Sequence, residues 1–363
     1  MKKSNLLLEI IVFFSGAIVM ILEIVGSRIL APQFGTSIFV WTSLIGIILG
    51  CLSIGYFLGG KLADRRPDYG VFALILLLAA LSTALASLTE YTLLEAIRKN
   101  IDDIRLGTLL GTIALFGIPG VLLGMVSPFA VRLQMESVGS SGKTVGRIYA
   151  ISTVGSIVGT FSAGFFLIAL IGSQKILYSL SFCLLILSCL AYCMCTNKKC
   201  FQKGIFLCSI TALIIFFSNL YLKPPAKFSI DFDTDYNRVW IYKSTDPLSK
   251  RPIRVITTSA RLFQTKMYLD KDDDLVPGYA NYYRLAKHFV PGFETTLMVG
   301  GGGYSYPKDY LRNFKNATID VVEIDPGMTR MARQYLISKT IHGCIFFMKM
   351  AGFFFKKEND IMT

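Results

Sequence analysis

Two histidines and two tryptophans are all that 363 residues contain. So little imidazole argues against a histidine-ligated metal centre and against a histidine-based nucleophile triad. Charge is scarce too, at 17% of residues. An ordinary soluble domain carries roughly 25%, so a chain that is soluble throughout is excluded. Lys+Arg outnumber Asp+Glu by 37 to 24, yet no basic run is interleaved with aromatics, and nucleic acid is not an expected partner. No C-x-x-C pair occurs among the eight cysteines, and their spacing is not that of a disulfide scaffold. Cys51, Cys183 and Cys208 sit inside apolar runs, and Cys344 stands alone. Cys189, Cys193, Cys195 and Cys200 gather where an apolar helix ends and include a C-x-C. With no histidine beside them they read as interfacial thiols, and no metal ligand is assigned.

What the chain does have is apolar length: 53% hydrophobic residues and a mean hydropathy of +0.54. The charges are unevenly placed. Residues 1–222 hold 25 of them, and the 141 residues that follow hold 36. The first part reads as a polytopic α-helical membrane bundle, with about seven apolar stretches near 5–30, 37–60, 70–90, 107–130, 148–172, 174–195 and 204–222. Each comes close to the ~20 residues a helix needs to cross a hydrocarbon core. The first is too long, and lacks the small-residue site, to be a removed signal peptide. Glycines recur within the spans, at Gly46, Gly50, Gly55, Gly59 and Gly60 and at Gly155, Gly159 and Gly164, as expected where helices approach closely in lipid. Loop Lys/Arg counts favour a cytoplasmic N-terminus, with 11 on that side against 4 on the other. Seven spans would then leave the rest of the chain outside. Three ionisable residues lie in the first stretch. Glu9 and Arg28 are near its ends, within snorkelling reach, and Glu23 is the intramembrane charge of interest, as an interhelical partner or a substrate or proton site.

After Leu222 the texture changes. YLKPPAKF reads as a linker. A small antiparallel β-subdomain is expected over 223–277, with strands at 236–244, 253–259 and 262–270, and helical spacing over 278–290. Residues 278–363 then carry the most specific pattern. The apolar strand TTLMV runs into four glycines, Gly300 to Gly303. The helix PKDYLRNF follows, and then a second apolar strand ending in VEIDP. Glycines after the first strand let backbone N–H groups approach a ligand. Glu323 lies 23 residues past Gly300, about the offset at which an acid takes a ribose diol. Strand, glycines, helix, strand and acid in that order predict a nucleoside-binding, Rossmann-like parallel sheet of the methyltransferase type. Asp325 is placed to cap the helix from Gly327 onward.

GGGG followed by VVEIDPG resembles the cofactor motifs of spermidine synthases, the aminopropyltransferases. YNRVWIY, Gln264 and the Tyr279 region resemble the N-terminal β-subdomain of that family. LEIVGSRILAPQFGTSIFVWTSLIG resembles the membrane part of bacterial proteins that fuse a major-facilitator-like bundle to such a domain. GYFLGGKLADRRPD is similar to the basic cytoplasmic loop of major-facilitator transporters. The resemblance extends to about residue 337. It implies a multi-pass protein of the bacterial inner membrane, with the lipid bilayer as partner. The implied activity is transfer of an aminopropyl group from decarboxylated S-adenosylmethionine, a co-substrate rather than a tightly bound cofactor, to putrescine. It places Gly300, Gly301, Gly302 and Glu323 at the nucleoside, Gln264 at the cofactor pocket and Tyr279 in the amine channel.

Two departures stand out. Gly303 and Tyr304 occupy positions where soluble members have Asp then Gly. Past Ile337, Ala351, Gly352 and Phe353 stand where Asp-Gly-Arg is expected, and Asp360 lies where a fourth strand should start, with Thr363 last. The family's catalytic aspartate has no counterpart, so no catalytic residue is assigned. A truncation or frameshift, an incomplete α/β domain and no turnover by this chain alone are the expectations. Two alternatives stay open: a polyamine transporter-like or sensing membrane protein, for which paired chains would be needed to reach twelve spans, and an S-adenosylmethionine methyltransferase.

Overall fold

The computed structural model describes residues 3–135, 141–195, 197–221, 230–259, 263–270, 275–336 and 344–347. The chain divides into two compact units, Met1–Lys223 and Pro224–Thr363. The first unit contains α1 (Lys3–Phe34), α2 (Ile38–Arg65), α3 (Tyr69–Asn100), α4 (Ile104–Gln134), α5 (Ser141–Ser162), α6 (Ile168–Ile171), α7 (Ser173–Cys193) and α8 (Lys198–Tyr221). A π-helical turn, Ala163–Leu167, joins α5 to α6. Asp68 caps α3 by accepting from the Gly70 and Val71 amides, and Asp103 caps α4 through the Arg105 amide. Gly35 and Gly172 end α1 and α6 in the left-handed region, at φ +82° and +89°.

Six of the described helices are long and apolar enough to cross a membrane: α1 to α4, the run Ser141–Ile171, and α7. The seventh expected stretch, 204–222, is helical to residue 221 within α8, whose side chains from residue 214 lie outside the described set.

In lipid, helices associate through close backbone approach and hydrogen bonds rather than through expulsion of water. Three seams show this. Between α1 and α5, a Cβ on Gly155 would stand 2.0 Å from the Phe13 carbonyl oxygen, and one on Gly159 2.4 Å from that of Ala17. Between α2 and α4, a Cβ on Gly55 would stand 2.3 Å from the Val121 carbonyl oxygen. Between α3 and α7 the contact is made by serines. Ser188 Oγ donates to the Ala73 carbonyl at 2.8 Å, Ser181 Oγ to that of Ala80 at 2.7 Å, and Ser87 Oγ to that of Gln174 at 3.4 Å. Successive bonds step seven residues along one helix and seven back along the other, the register of antiparallel heptad packing.

The expectation that Glu9 snorkels is corrected. It is buried and pairs with Arg147 Nη2 at 2.9 Å, while Gln134 Nε2 donates to its other oxygen at 3.1 Å. Glu9 lies in the second turn of α1, where Gln134 at the end of α4 and Arg147 of α5 meet it. Glu23 and Arg28 are partly buried. Glu90, where the third apolar stretch was expected to end, is buried as well.

The second unit opens with an antiparallel sheet of β1 (Ile230–Asp233), β2 (Arg238–Thr245), β3 (Pro252–Thr257) and β4 (Thr265–Tyr268), in that order. A 3-10 stretch, Tyr279–Leu285, and α9 (Ala286–Phe289) precede β5 (Thr295–Val299), α10 (Ser305–Asn313), β6 (Thr318–Val322), α11 (Pro326–Tyr335) and β7 (Cys344–Phe347). The last three strands form a parallel sheet ordered β5-β6-β7. Val239, Ile241, Ile256 and Met267 from the antiparallel sheet pack on Met328 and Met331 of α11 and on Leu336. Tyr304, Tyr306 and Tyr310 fill the space between α10 and Ile319 and Val321 of β6. The β7 strand lies beyond the point where the family resemblance ends. Ala351, Gly352, Phe353, Asp360 and Thr363 are outside the described residues.

The seams predict an order of tolerance. Ser181→Ala loses one hydrogen bond, about 0.6 kcal/mol by the average for such bonds in lipid. Gly155→Ala must push two backbones apart, an overpacking cost of about 1–3 kcal/mol. Thermal unfolding of the purified protein in detergent checks this, with Gly155→Ala expected to melt distinctly lower. Equal melting points would contradict the seam.

Candidate nucleoside site

The parallel register pairs Val299 of β5 with Val322 of β6, so the residues after the two strands emerge side by side. The Gly300 amide closes the register by donating to the Val322 carbonyl at 2.8 Å. The chain then turns through Gly300 at φ +86° and Gly302 at φ +51°, a path open to glycine without strain. Glu323, next after β6, folds its side chain back into this turn. Its Oε2 accepts from the Gly301 amide at 2.8 Å and the Gly302 amide at 3.1 Å, and its Oε1 accepts from the Asp325 amide at 3.0 Å. An ionised carboxylate offers about four acceptor positions. Three are used, which leaves one on Oε1.

Asp325 caps α11, accepting from the Gly327 and Met328 amides at 2.9 and 3.2 Å. Its other oxygen accepts from Thr234 Oγ1 at 2.6 Å, so the β1–β2 turn is tied to the start of α11. Thr265 Oγ1 and Ser305 Oγ, 2.6 Å apart, make a second tie between β4 and α10. Neither threonine carries a local signal, and each matters only because of what the fold brings opposite it.

Gly303 and Tyr304 explain their own departure from the spermidine synthase pattern. A Cβ on Gly303 would stand 2.0 Å from Thr265 Cγ2 and 2.6 Å from Leu336 Cδ1, so the aspartate expected there has no room. Tyr304 sits at φ +58°, a left-handed position that suits the expected glycine and costs any other residue about 1–2 kcal/mol. Its ring is fully buried beneath Gly301, and its hydroxyl lies 2.7 Å from Thr329 Oγ1.

Gln264 comes next to the loop, its Cγ 4.0 Å from where a Gly302 Cβ would lie. The Tyr279 hydroxyl donates to the Gln264 carbonyl at 2.6 Å. Partial burial, then the neighbouring Tyr283, raise the Tyr279 phenol above its ordinary range, so at neutral pH it remains a protonated donor. Beside these residues is a cavity of about 240 Å³ lined by Phe263, Thr265, Lys266, Val276, Tyr279 and Ser305. The structure thus sets Glu323 on the Gly301–Gly302 turn and Gln264 beside Gly302, with Tyr279 bonded to Gln264 and on the wall of the neighbouring cavity. Among the described residues no group of three or more His, Cys, Asp or Glu side chains is arranged to hold a metal ion.

No family model, curated protein or solved structure matches this chain. The chemistry of the cleft must therefore be read from its own atoms. The Gly301 and Gly302 amides, which a phosphate-cradling loop would present to its ligand, are already given to Glu323. What stands at the turn instead is one free acceptor position on Glu323 Oε1, with the Gln264 side chain beside Gly302.

Tyr304 provides a test of the loop. Tyr304→Phe should cost about 1 kcal/mol for the lost bond to Thr329. Tyr304→Gly should cost more, because losing a buried aromatic ring, about 3–5 kcal/mol, outweighs relief of the left-handed strain. Denaturant titration of the full chain in detergent measures both. A stabilised Tyr304→Gly would show that the ring does not hold the loop.

Proposed function

We propose that residues 223–363 bind an adenosyl sulfonium ligand in the manner of spermidine synthases, on a Rossmann-like domain carried by an inner-membrane bundle. The observation that supports this best is the use of the loop amides by Glu323. A dinucleotide needs those amides for its pyrophosphate; an adenosyl ligand without phosphates does not. The acceptor position left on Glu323 Oε1 suits one ribose hydroxyl, and Gln264 stands where the rest of the nucleoside would meet the antiparallel sheet.

In the proposed reaction, the amine nitrogen of putrescine attacks the propyl carbon next to the sulfonium of decarboxylated S-adenosylmethionine. A C–N bond forms and the C–S bond breaks, with its electron pair returning to sulfur. The ammonium of putrescine must first lose a proton, and the two reactants must be held in line. The residues assigned here serve binding and alignment: Glu323 and Gln264 for the nucleoside, and Tyr279 at the mouth of the 240 Å³ cavity for the amine. No described residue is assigned as the base.

Calorimetric titration of the full chain in detergent tests the reading. Decarboxylated S-adenosylmethionine is expected to bind and NADH is not. Glu323→Ala should weaken binding at least about tenfold, equivalent to about 1.4 kcal/mol. Unchanged affinity in Glu323→Ala, or NADH binding as tightly, would overturn it. A clear preference for intact S-adenosylmethionine would redirect the reading to a methyltransferase.

A further inference from the structure

Where α7 gives way to α8, two thiols meet. Cys195 follows the end of α7, and Cys200 is the third residue of α8. Cys200 Sγ donates to Cys195 Sγ at 3.3 Å, and both cysteines are free and half-buried. A covalent bond between the sulfurs needs about 2.05 Å, and side-chain rotation can close a gap this small. The backbones on either side are already held for it. A Cβ on Gly204 of α8 would stand 2.3 Å from the Tyr192 ring of α7, so ring and helix are in direct contact. Asn197 caps α8, its Oδ1 accepting from the Lys199 amide at 2.9 Å.

The surroundings divide the roles. Cys200 sits in the first turn of α8, whose unpaired amides favour a thiolate. Lys198, Lys199 and Lys203 flank it in the sequence. Its sulfur also packs on the first turn of α3, where a Cβ on Gly70 would stand 2.5 Å from Cys200 Sγ and 3.7 Å from Cys195 Sγ. Asp68 lies at the same junction, but its Oδ1 is given to the Gly70 and Val71 amides. Burial, then the contact with Cys200 and the charges of Cys200, Asp68 and Cys193, push the Cys195 thiol up to about 12. Cys195 thus keeps its proton at neutral pH. A protonated thiol beside one that can ionise is the arrangement of a resolving cysteine next to a reactive one.

We infer that Cys195 and Cys200 form a dithiol redox site that closes to a disulfide when a hydroperoxide reaches it. The Cys200 thiolate attacks one peroxide oxygen, the O–O bond breaks, and a sulfenic acid forms on Cys200. The hydroxide released takes up the proton that Cys200 had lost. Cys195 then attacks the Cys200 sulfur. The S–S bond forms as the sulfenic hydroxyl leaves with the Cys195 proton as water. Two thiols are oxidised, and one hydrogen peroxide is reduced to two waters. The closed pair ties the end of α7 to the first turn of α8, against the start of α3. The inference does not rest on the nucleoside reading.

The reduced full chain in detergent, treated with one equivalent of hydrogen peroxide, alkylated and digested with trypsin, gives the test. Cleavage after Lys198 and Lys199 puts Cys195 and Cys200 on separate peptides, so the disulfide is read by mass as a cross-linked pair. It is expected to form while Cys51 and Cys183 still alkylate, and to open again with dithiothreitol. In Cys195→Ser, Cys200 should stop as a sulfenic acid that dimedone traps. Gly70→Ala should slow closure about tenfold or more, since its methyl displaces Cys200 Sγ and misplacement by about 1 Å costs aligned groups about a hundredfold. A cross-link to Cys193 in preference to Cys195, sulfenic acid persisting on wild-type Cys200, or uniform oxidation of all the cysteines would overturn the inference. So would an acyl thioester on either thiol of the protein as isolated, which would assign the pair to lipid attachment.

Discussion

Glu323 holds the glycine turn shut from below. Its carboxylate accepts from Gly301, Gly302 and Asp325, and it can do so only because β5 and β6 run parallel and in register at Val299 and Val322. That contact links the rest of the unit. Asp325, fixed by it, caps α11 and takes the Thr234 hydroxyl, which draws the antiparallel sheet against the helix. Tyr304, just past the turn, accepts a strained backbone because its ring supports Gly301 and its hydroxyl reaches Thr329. Loss of the carboxylate would leave three amides without their acceptor and the turn without its acid.

The membrane unit solves a different problem with related means. In lipid there is no water to satisfy a stray polar group, and several buried side chains of the bundle find a partner on another helix. Ser181 and Ser188 find backbone carbonyls on α3, and Glu9 finds Arg147 and Gln134. These bonds set register, while the glycine seams set distance.

Periodicity and composition made much of this legible. The apolar stretches became helices, Asp325 caps α11, and the order strand, glycine, helix, strand, acid placed Glu323 at the turn. What could not be read was whatever depends on a partner distant in sequence. Glu9 looked free to snorkel because Arg147 is far along the chain. Ser181 and Ser188 of α7 gave no sign in the sequence of their bonds to α3. Thr234 lay in an unremarked turn, and β1 falls between the linker and the first strand expected, on residues to which no strand was assigned. Tyr304 gave no local sign that it would enter the left-handed region, and Gly303 none that Thr265 and Leu336 would leave no room for a side chain there.

A structure of the full chain solved with 5′-methylthioadenosine tests the central claim most directly. The account predicts the sugar in the cleft between Gln264 and the glycine turn, with one hydroxyl on Glu323 Oε1 and the Gly301 and Gly302 amides still bonded to Oε2. A nucleoside bound elsewhere, or Glu323 turned away from the turn with the amides facing the ligand, would contradict it.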